Sequence, residues 1–519
     1  METITMSQLL YLGIGLVSLL FLKRSILAFF GEPKPVNWHA CDPFQRQAKE
    51  DFSHNARELI AKGLEEGRSM FRVATNMGMY LILSDRYAEE IRNDERFSAY
   101  DALVDVILLE LPGFETTFQS SLHNHVSPMA IQALNKKLQP LTYHRFSTFY
   151  LVHLTRPLSD EASECLRTKW TEASTVWQSV PIRETILALV AQMTTRALIG
   201  PELSRNSEWL EIVISFTTNR AIAVAAIQAW PRFLQPLVHW FLGPCQTVRR
   251  QIKRANRILL PVLREKTRCA GERNADDREF STLTFIDQFA NGARYDATLA
   301  QLRLIAVSVL TTADLVEKVV ARLVEHSELI QPLREELVTV LTASPHGIHR
   351  TSLLKLTLME SVMKESQRLE PATLISMFRF AKEPVTLQDG TKIPKGTNLA
   401  FANDLRLNAI MYPDPEVFDG YRFEKMRGDR STAGLAPFTK TRMSHLAFGH
   451  GKHACPGRFL SSDEAKLILC HMLLKYDIRA PEGGIGGLLV SGMFVQREAG
   501  ARMVVKLREL EAELAEILQ

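Results

Sequence analysis

The run of apolar and polar positions changes character three times along the chain. From Met6 to Leu22 no charged residue occurs, and Lys23 and Arg24 follow at once. Such a run sits at the short end of what spans a bilayer. A secretory signal has a similar profile, but here the charges lie after the apolar stretch and no small-residue cleavage site follows. Basic residues after a span keep the following body on the cytosolic side. Residues 1–30 are therefore expected to form a membrane anchor, with a buried core helix as the alternative. Residues 31–519 are expected to form a single large domain facing the cytosol. Gly31-Glu-Pro33-Lys-Pro35 makes a stiff break between the two, since proline cannot continue a helix.

Beyond the break, Phe71–Thr75 and Met79–Ser84 are short apolar runs around Asn76-Met-Gly78, which predicts a hairpin. The pattern is then mainly helical to about residue 370. Its most polar interruption is Ala270–Glu279, a predicted surface loop. Asp296 is placed to cap a long helix from Ala297 to about Glu325. Leu299, Leu302, Ile305, Val309 and Val316 are apolar along it and charge is sparse until Glu317-Lys318, so the helix should be largely buried. Helices over roughly 332–341 and 353–369 follow. Val385–Ile393 then carries an Asp389-Gly390 turn between apolar segments, a hairpin signal, and Met411–Phe438 is irregular and rich in Pro and Asp. The fold class expected is mainly α with small β-sheets.

Composition narrows the function classes. With 46% hydrophobic residues in 519, the chain can bury a large core. A net charge of +4 from 62 basic and 58 acidic residues, with no Lys/Arg block, gives no reason to expect nucleic acid. Cys41, Cys165, Cys245, Cys269, Cys455 and Cys470 are scattered, with no CxxC pair and no disulfide-framework spacing. Five of them read as buried thiols of a protein in a reducing compartment.

The sixth lies in Phe448-Gly449-His450-Gly451-Lys452-His453-Ala454-Cys455-Pro456-Gly457-Arg458-Phe459. Glycines permit a tight doubling of the backbone, and a helix to about Lys475 begins at the cysteine. Pro456 suits a first helical turn. A thiol at a helix N-terminus meets unpaired N–H groups and a favourable dipole, which lower its pKa. A thiolate is the ligand with which a haem iron is pushed toward O–O cleavage. The segment resembles the haem-binding signature of the cytochrome P450 family, F-x-x-G-x-(H/R)-x-C-x-G, with Phe448, Gly451, His453, Cys455 and Gly457 at every defined position. The resemblance covers roughly residues 35 to 505 and is closest to fungal members that oxidise terpenoids and indole diterpenes. It implies the cytochrome P450 fold and haem b, with Cys455 as the axial ligand of the iron. By the same resemblance Phe448 packs beside the sulfur, His453 approaches a propionate, and Gly457 lets the helix lie close to the porphyrin.

Two further motifs fit. Glu365-Ser-Gln-Arg368 is an E-x-x-R with both side chains on one helix face. It lies 90 residues (455 less 365) before the cysteine, as in the family. There it resembles the structural pair that supports the haem pocket, completed by Arg422 of Phe418-Asp-Gly-Tyr-Arg422-Phe423, where Gly420 replaces the usual proline. Arg379 stands where the family often sends an arginine to a propionate. On the long helix, Thr311 aligns with the family threonine that holds the water network protonating dioxygen, with Thr312 beside it. Hydrogen bonding back to the helix is the plain alternative for both. Leu310 occupies the usual acid position and cannot relay a proton, and Asp314 lies one turn late.

The resemblance also implies O2 as co-substrate and electrons from an NADPH–cytochrome P450 reductase of the endoplasmic reticulum membrane, because the chain shows no nucleotide-binding fingerprint. Lys452 is a candidate reductase contact or a solvated loop lysine. Ala221–Leu242, nearly uncharged apart from Arg232, is either core or a portal touching membrane lipid. Pocket walls by analogy are the region after Tyr100, Val307, Leu310, Leu374-Ile375 and Ser491-Gly-Met493. Tyr143–Thr155 is aromatic-rich and resembles an insertion. The reaction expected is monooxygenation of a hydrophobic, terpenoid-type molecule of fungal secondary metabolism. Desaturation, isomerisation, several oxidation rounds, or ligand binding without turnover stay open.

Overall fold

The computed structural model describes residues 34–39, 42, 45–65, 68–104, 111, 114, 147–170, 176–230, 233–272, 281–282, 285–286, 296–344 and 347–509. The anchor expected over 1–30 lies outside the described residues, as do 105–110, 143–146, 231–232 and 273–279 of the segments singled out above. The chain divides into two units, one made of residues up to Ala102 with Thr373–Leu405 and Val490–Phe494, the other of the rest.

In the first unit, helix α1 (Arg46–Leu64) buries Ala48, Phe52, Ala56 and Ile60, a face repeating every four residues. Its sheet contains β1 (Met70–Thr75), β2 (Gly78–Leu83), β3 (Phe97–Ser98), β4 (Ser376–Ala381) and β5 (Asn398–Phe401), in the order β1-β2-β5-β4-β3. The expected first hairpin is present: Met70 pairs with Leu83 and Thr75 with Gly78, and Gly78 turns the chain at φ 122. The Asp389-Gly390 hairpin pairs Val385 with Ile393 and Thr386 with Lys392. Two carboxylates close this unit reciprocally. Asp85 accepts from the N–H of Asn403 at 2.9 Å, and Asp404 accepts from the N–H of Asp85 at 2.9 Å. The N–H of Leu374 donates to the carbonyl of Met493 at 2.8 Å, which brings two of the expected pocket-wall segments together.

The second unit is helical. Its main helices are α2 (Ser147–Lys169), α3 (Ile182–Leu198), α4 (Ser207–Gln228), α5 (Gly243–Glu272), α6 (Ala297–Glu325), α7 (Ile330–Thr342), α8 (Thr357–Leu369) and α9 (Arg458–Lys475). Helix α6 has the bounds its pattern predicts, and the Asp296 carboxylate accepts from the N–H of Leu299 at 2.8 Å. Leu302, Ile305, Val309 and Val316 are fully buried along it, and α3, α4, α8 and α9 pack around it. Gln178–Pro181, Arg502–Leu507 and Tyr476–Arg479 form a small antiparallel sheet beside these helices. The described part of Tyr143–Thr155 forms the opening turns of α2, whose Leu154 and Thr155 are buried. Cys165, Cys245 and Cys470 are buried free thiols as expected, and burial pushes Cys470 up to about 12. Among the described residues, α4 alone is long and apolar enough to cross a membrane. Yet Trp209, Ile212, Val213, Phe216 and Ile227 set one side of it into the core.

Glu464 of α9 makes stability depend on pH. It is fully buried, Thr194 Oγ1 donates to its Oε1 at 2.9 Å, and burial pushes its carboxyl up to about 8. The folded chain therefore keeps a proton that the unfolded chain loses from its ordinary value of 4.5 upward. Between those values the unfolded state binds fewer protons, so stability falls as pH rises. Glu464→Gln keeps the acceptor for Thr194 and removes the ionisation. Its gain in melting temperature over wild type should grow from about pH 5 to about pH 8. A difference independent of pH would contradict this account.

Candidate functional site

The cysteine loop is held by main-chain bonds before any side chain acts. Gly449 and Gly451 adopt φ 65 and 78, a region glycine enters without strain. The backbone doubled in this way returns the N–H of Cys455 to the carbonyl of Phe448 at 2.8 Å. Arg458 Nη1 donates to the carbonyl of Cys455 at 2.7 Å, and α9 starts at Arg458 with Gly457 as its cap. The Phe448 ring meets the buried Phe438 edge to face, centroids 5.2 Å apart. A Cβ on Gly457 would meet no atom within 4 Å, so a flat group can lie against this turn. His453 and Lys452 are exposed.

The thiol corrects one expectation. The N–H groups of Gly457 and Arg458 and the Arg458 charge do pull the Cys455 pKa down, as a helix N-terminus should, but burial outweighs them and holds it above the ordinary value. Desolvation wins because a thiolate loses more from a low dielectric than two N–H dipoles return. A coordinated metal cation reverses this balance, since it deprotonates a thiol outright. The residues around Cys455 thus fit a metal-bound sulfur better than a free thiolate.

Helix α8 holds the E-x-x-R pair with both side chains fully buried. Arg368 Nε and Nη2 each donate to the Glu365 carboxylate at 2.7 Å, a bidentate pair. Arg422 Nε donates to Glu365 Oε1 at 2.9 Å, so the structure brings together all three residues that the sequence singled out. The remaining N–H groups go to main-chain carbonyls: Arg368 to Arg406 and Pro415, Arg422 to Pro413, Asp414 and Val417. A Cβ on Gly420 would lie 2.7 Å from Leu329 Cδ1, which accounts for glycine at the usual proline.

The two threonines of α6 separate. Thr311 is exposed together with Val307, which keeps 59% exposure one turn earlier, and its Oγ1 donates to the carbonyl of Val307 at 3.0 Å. It therefore lies on an open strip of an otherwise buried helix. Thr312 is buried, and its Oγ1 donates to Ser461 Oγ at 3.0 Å, which bolts α6 to the helix that follows Cys455. Asp314 accepts from Lys318 Nζ at 2.7 Å and is occupied there. Leu310 leaves the acid position without a proton donor.

Arg379, in the first unit, is 4% exposed, and burial lowers it to about 10. Its Nη1 donates to the carbonyl of Phe378 at 2.9 Å, and among the described residues no carboxylate pairs with it. A buried guanidinium without an anion is costly, so this site suits an anionic group of a ligand. Sequence reasoning missed the burial of Lys318, Glu360 and Lys364, ionisable side chains of which burial lowers Lys364 to about 7. Their one signal was charge inside otherwise apolar helical stretches.

Arg368→Met would leave Glu365 with Arg422 alone and two carbonyls without donors. The expected cost is about 3–5 kcal/mol, seen in thermal unfolding as loss of most of the fold's stability. A shift below about 1 kcal/mol would mean that the pair behaves like a surface ion pair.

The sequence model of the Cytochrome P450 family matches residues 110–503. Cytochrome P450 monooxygenase roqO of Penicillium rubens is 65% identical over 480 residues, covering 92% of each chain. Fumitremorgin C monooxygenase of Neosartorya fischeri is 61% identical over 511 residues, 98% of each chain. Cytochrome P450 monooxygenase lenC of Aspergillus lentulus is 42% identical over 527 residues, 96% of this chain and 97% of its own. With its cysteine loop, its buried E-x-x-R network and these relatives, the chain belongs to the cytochrome P450 family of haem-thiolate monooxygenases.

Proposed function

We propose that this cytochrome P450 oxidises a hydrophobic small molecule of fungal secondary metabolism, with Cys455 as the thiolate ligand of haem b. The observation that carries the reading is the Cys455 loop itself: a half-buried cysteine at a helix start, with open space over Gly457. Cys455, Phe448, Gly451 and Gly457 would hold the haem, with His453 as a partner for a propionate; in the first unit, Arg379 by itself suits an anionic group. When bound, the haem iron supplies dioxygen activation. The chain's own part is to place substrate and protons. Val307 on the open strip of α6 offers an apolar wall, and Thr311 offers a hydroxyl to water beside it. Leu310 gives no carboxylate relay, so protons must reach Thr311 through solvent.

Fumitremorgin C, the substrate named for relatives at 60–61% identity, is the first compound to test. Terpenoid-type intermediates come next. Electrons would come from a separate NADPH-dependent reductase, with the exposed Lys452 as a candidate contact. Residues 1–30 would anchor the chain in the endoplasmic reticulum membrane. Phe233, Leu237, Trp240 and Phe241 are 49–81% exposed, which favours the portal reading of Ala221–Leu242, with this edge meeting lipid.

The reduced, carbon-monoxide difference spectrum tests the ligand: a strongly red-shifted Soret band in wild type, lost in Cys455→Ser that still retains haem. Persistence of that band in the serine variant would sink the assignment. Product mass after turnover with reductase then separates hydroxylation from desaturation or isomerisation. The threonines should differ as well. Thr311→Val should lower product formed per NADPH consumed, whereas Thr312→Val should mainly cost about 1–2 kcal/mol of stability through the orphaned Ser461 hydroxyl. Equal loss of coupling in both would show that the open strip has no special role.

A further inference from the structure

Helix α8 carries a second pair of charged side chains one turn before its E-x-x-R. Glu360 and Lys364 are four residues apart and both buried. Lys364 Nζ donates to the carbonyls of Leu435 and Pro437 at 2.6 and 2.8 Å and lies 4.9 Å from the centre of the Phe423 ring. Glu360 Oε1 accepts from the N–H of Phe438 at 2.7 Å. Its other oxygen faces Arg427 at 3.2 Å and Lys466 of α9 at 3.5 Å. Three main-chain groups of residues 435–438 are thus fixed from one helix face.

That segment reaches Cys455 by two routes. Phe438 supports Phe448, whose carbonyl accepts from the N–H of Cys455. Next to it, the carbonyl of Thr439 accepts from Arg458 Nε at 3.1 Å, while the same guanidinium donates to the carbonyl of Cys455 at 2.7 Å. The N–H and the C=O of the cysteine are therefore both referred to residues 438–439. The Glu365 network holds a different stretch, with its bonds to Arg406, Pro413, Asp414, Pro415, Val417 and Asp419.

We propose that Glu360 and Lys364 are positioning residues for Cys455: by gripping residues 435–438 they set where its backbone, and so its sulfur, stands relative to α9. The proposal rests on Cys455 as the thiolate ligand. Releasing the grip should let the sulfur leave its place while the fold and the haem remain, so that a neutral thiol or another ligand competes.

The test compares wild type with Lys364→Met, which removes the donors, and Lys364→Arg, which restores them. Glu360→Leu and Glu360→Gln form the matching pair, since glutamine keeps an acceptor for Phe438. Leu259→Ala, in the buried core of α5, serves as a general destabiliser. The reduced, carbon-monoxide spectrum reads the ratio of the thiolate-type Soret band to the blue-shifted one in haem-loaded protein that is folded by circular dichroism. The expected result is an about three- to tenfold fall in that ratio, the size of one lost net hydrogen bond, in Lys364→Met and Glu360→Leu. Lys364→Arg and Glu360→Gln should recover most of it, and Leu259→Ala should leave it unchanged. An unchanged ratio in the first two variants, or an equal fall in Leu259→Ala, overturns the proposal. A wild type without the thiolate-type band would instead overturn the ligand assignment itself. Hydrogen exchange of the wild-type protein gives a reading that needs no variant to fold. The amides of Phe438 and Cys455 should open together with one protection factor, and protection factors more than about tenfold apart would show the two segments to be independent.

Discussion

The Glu365 carboxylate, taken wholly out of water between Arg368 and Arg422, is the constraint on which the second unit's irregular region depends. Two guanidiniums on one carboxylate leave an excess positive charge in a low dielectric, and Coulomb attraction to a single anion does not satisfy it. The surplus N–H groups find main-chain carbonyls from 406 to 417 instead. The network therefore does two things at once. It solvates the surplus buried charge with carbonyl dipoles, and it dictates the path of a segment that has few main-chain bonds of its own. Removing any member exposes the others to the full desolvation penalty, which makes the arrangement specific as well as stable.

The same low dielectric governs the cysteine. Around Cys455 the helix end supplies the dipoles that stabilise a thiolate, yet burial still favours the thiol. A bound cation at the sulfur would reverse that balance. Glu464, on the same helix, shows what happens when no cation arrives, since it stays protonated to about 8. Asp314 has Lys318 at 2.7 Å, and burial still holds its carboxyl above the ordinary value. Its Oδ2 is bonded to Lys318, and Leu310 places no carboxylate beside Thr311.

Much of this was legible in the sequence. Helix α6 announced itself by its apolar period and by Asp296, because a cap and a stripe are local signals. The hairpins at Gly78 and Gly390 were equally local, since positive φ at a glycine is a property of the turn itself. The cysteine loop and the E-x-x-R were readable through resemblance, and the structure joins Glu365, Arg368 and Arg422 as expected. What the sequence could not show was how neighbours divide their work. Thr311 and Thr312 differ by one position, a rotation of about 100° on a helix, and only the packing of α9 tells which one is bolted to Ser461. The pKa of Cys455 was misjudged for a similar reason: dipoles are set by local geometry, while desolvation is set by everything that folds over the sulfur. Lys364 and Glu360 were overlooked because a buried charge looks like a surface charge until its partners, some seventy residues away, are in place.

Those partners explain why charge is buried on α8 at all. Residues 406–438 carry only short helical turns and no strand, so their main-chain groups lack the ladder that pairs such groups elsewhere. Water cannot serve at Phe438, which is fully buried against Phe448 of the cysteine loop. Side chains from a neighbouring regular element must then supply donors and acceptors at fixed points. Long, multiply donating groups reach several carbonyls at once, as Arg368 and Lys364 do from α8 and Arg422 does from within the segment. Apolar residues of the same volume would pack as densely but would leave each carbonyl without a partner, at about 1–3 kcal/mol apiece. On α8, therefore, ionisable side chains are buried where the backbone that they face cannot pair itself.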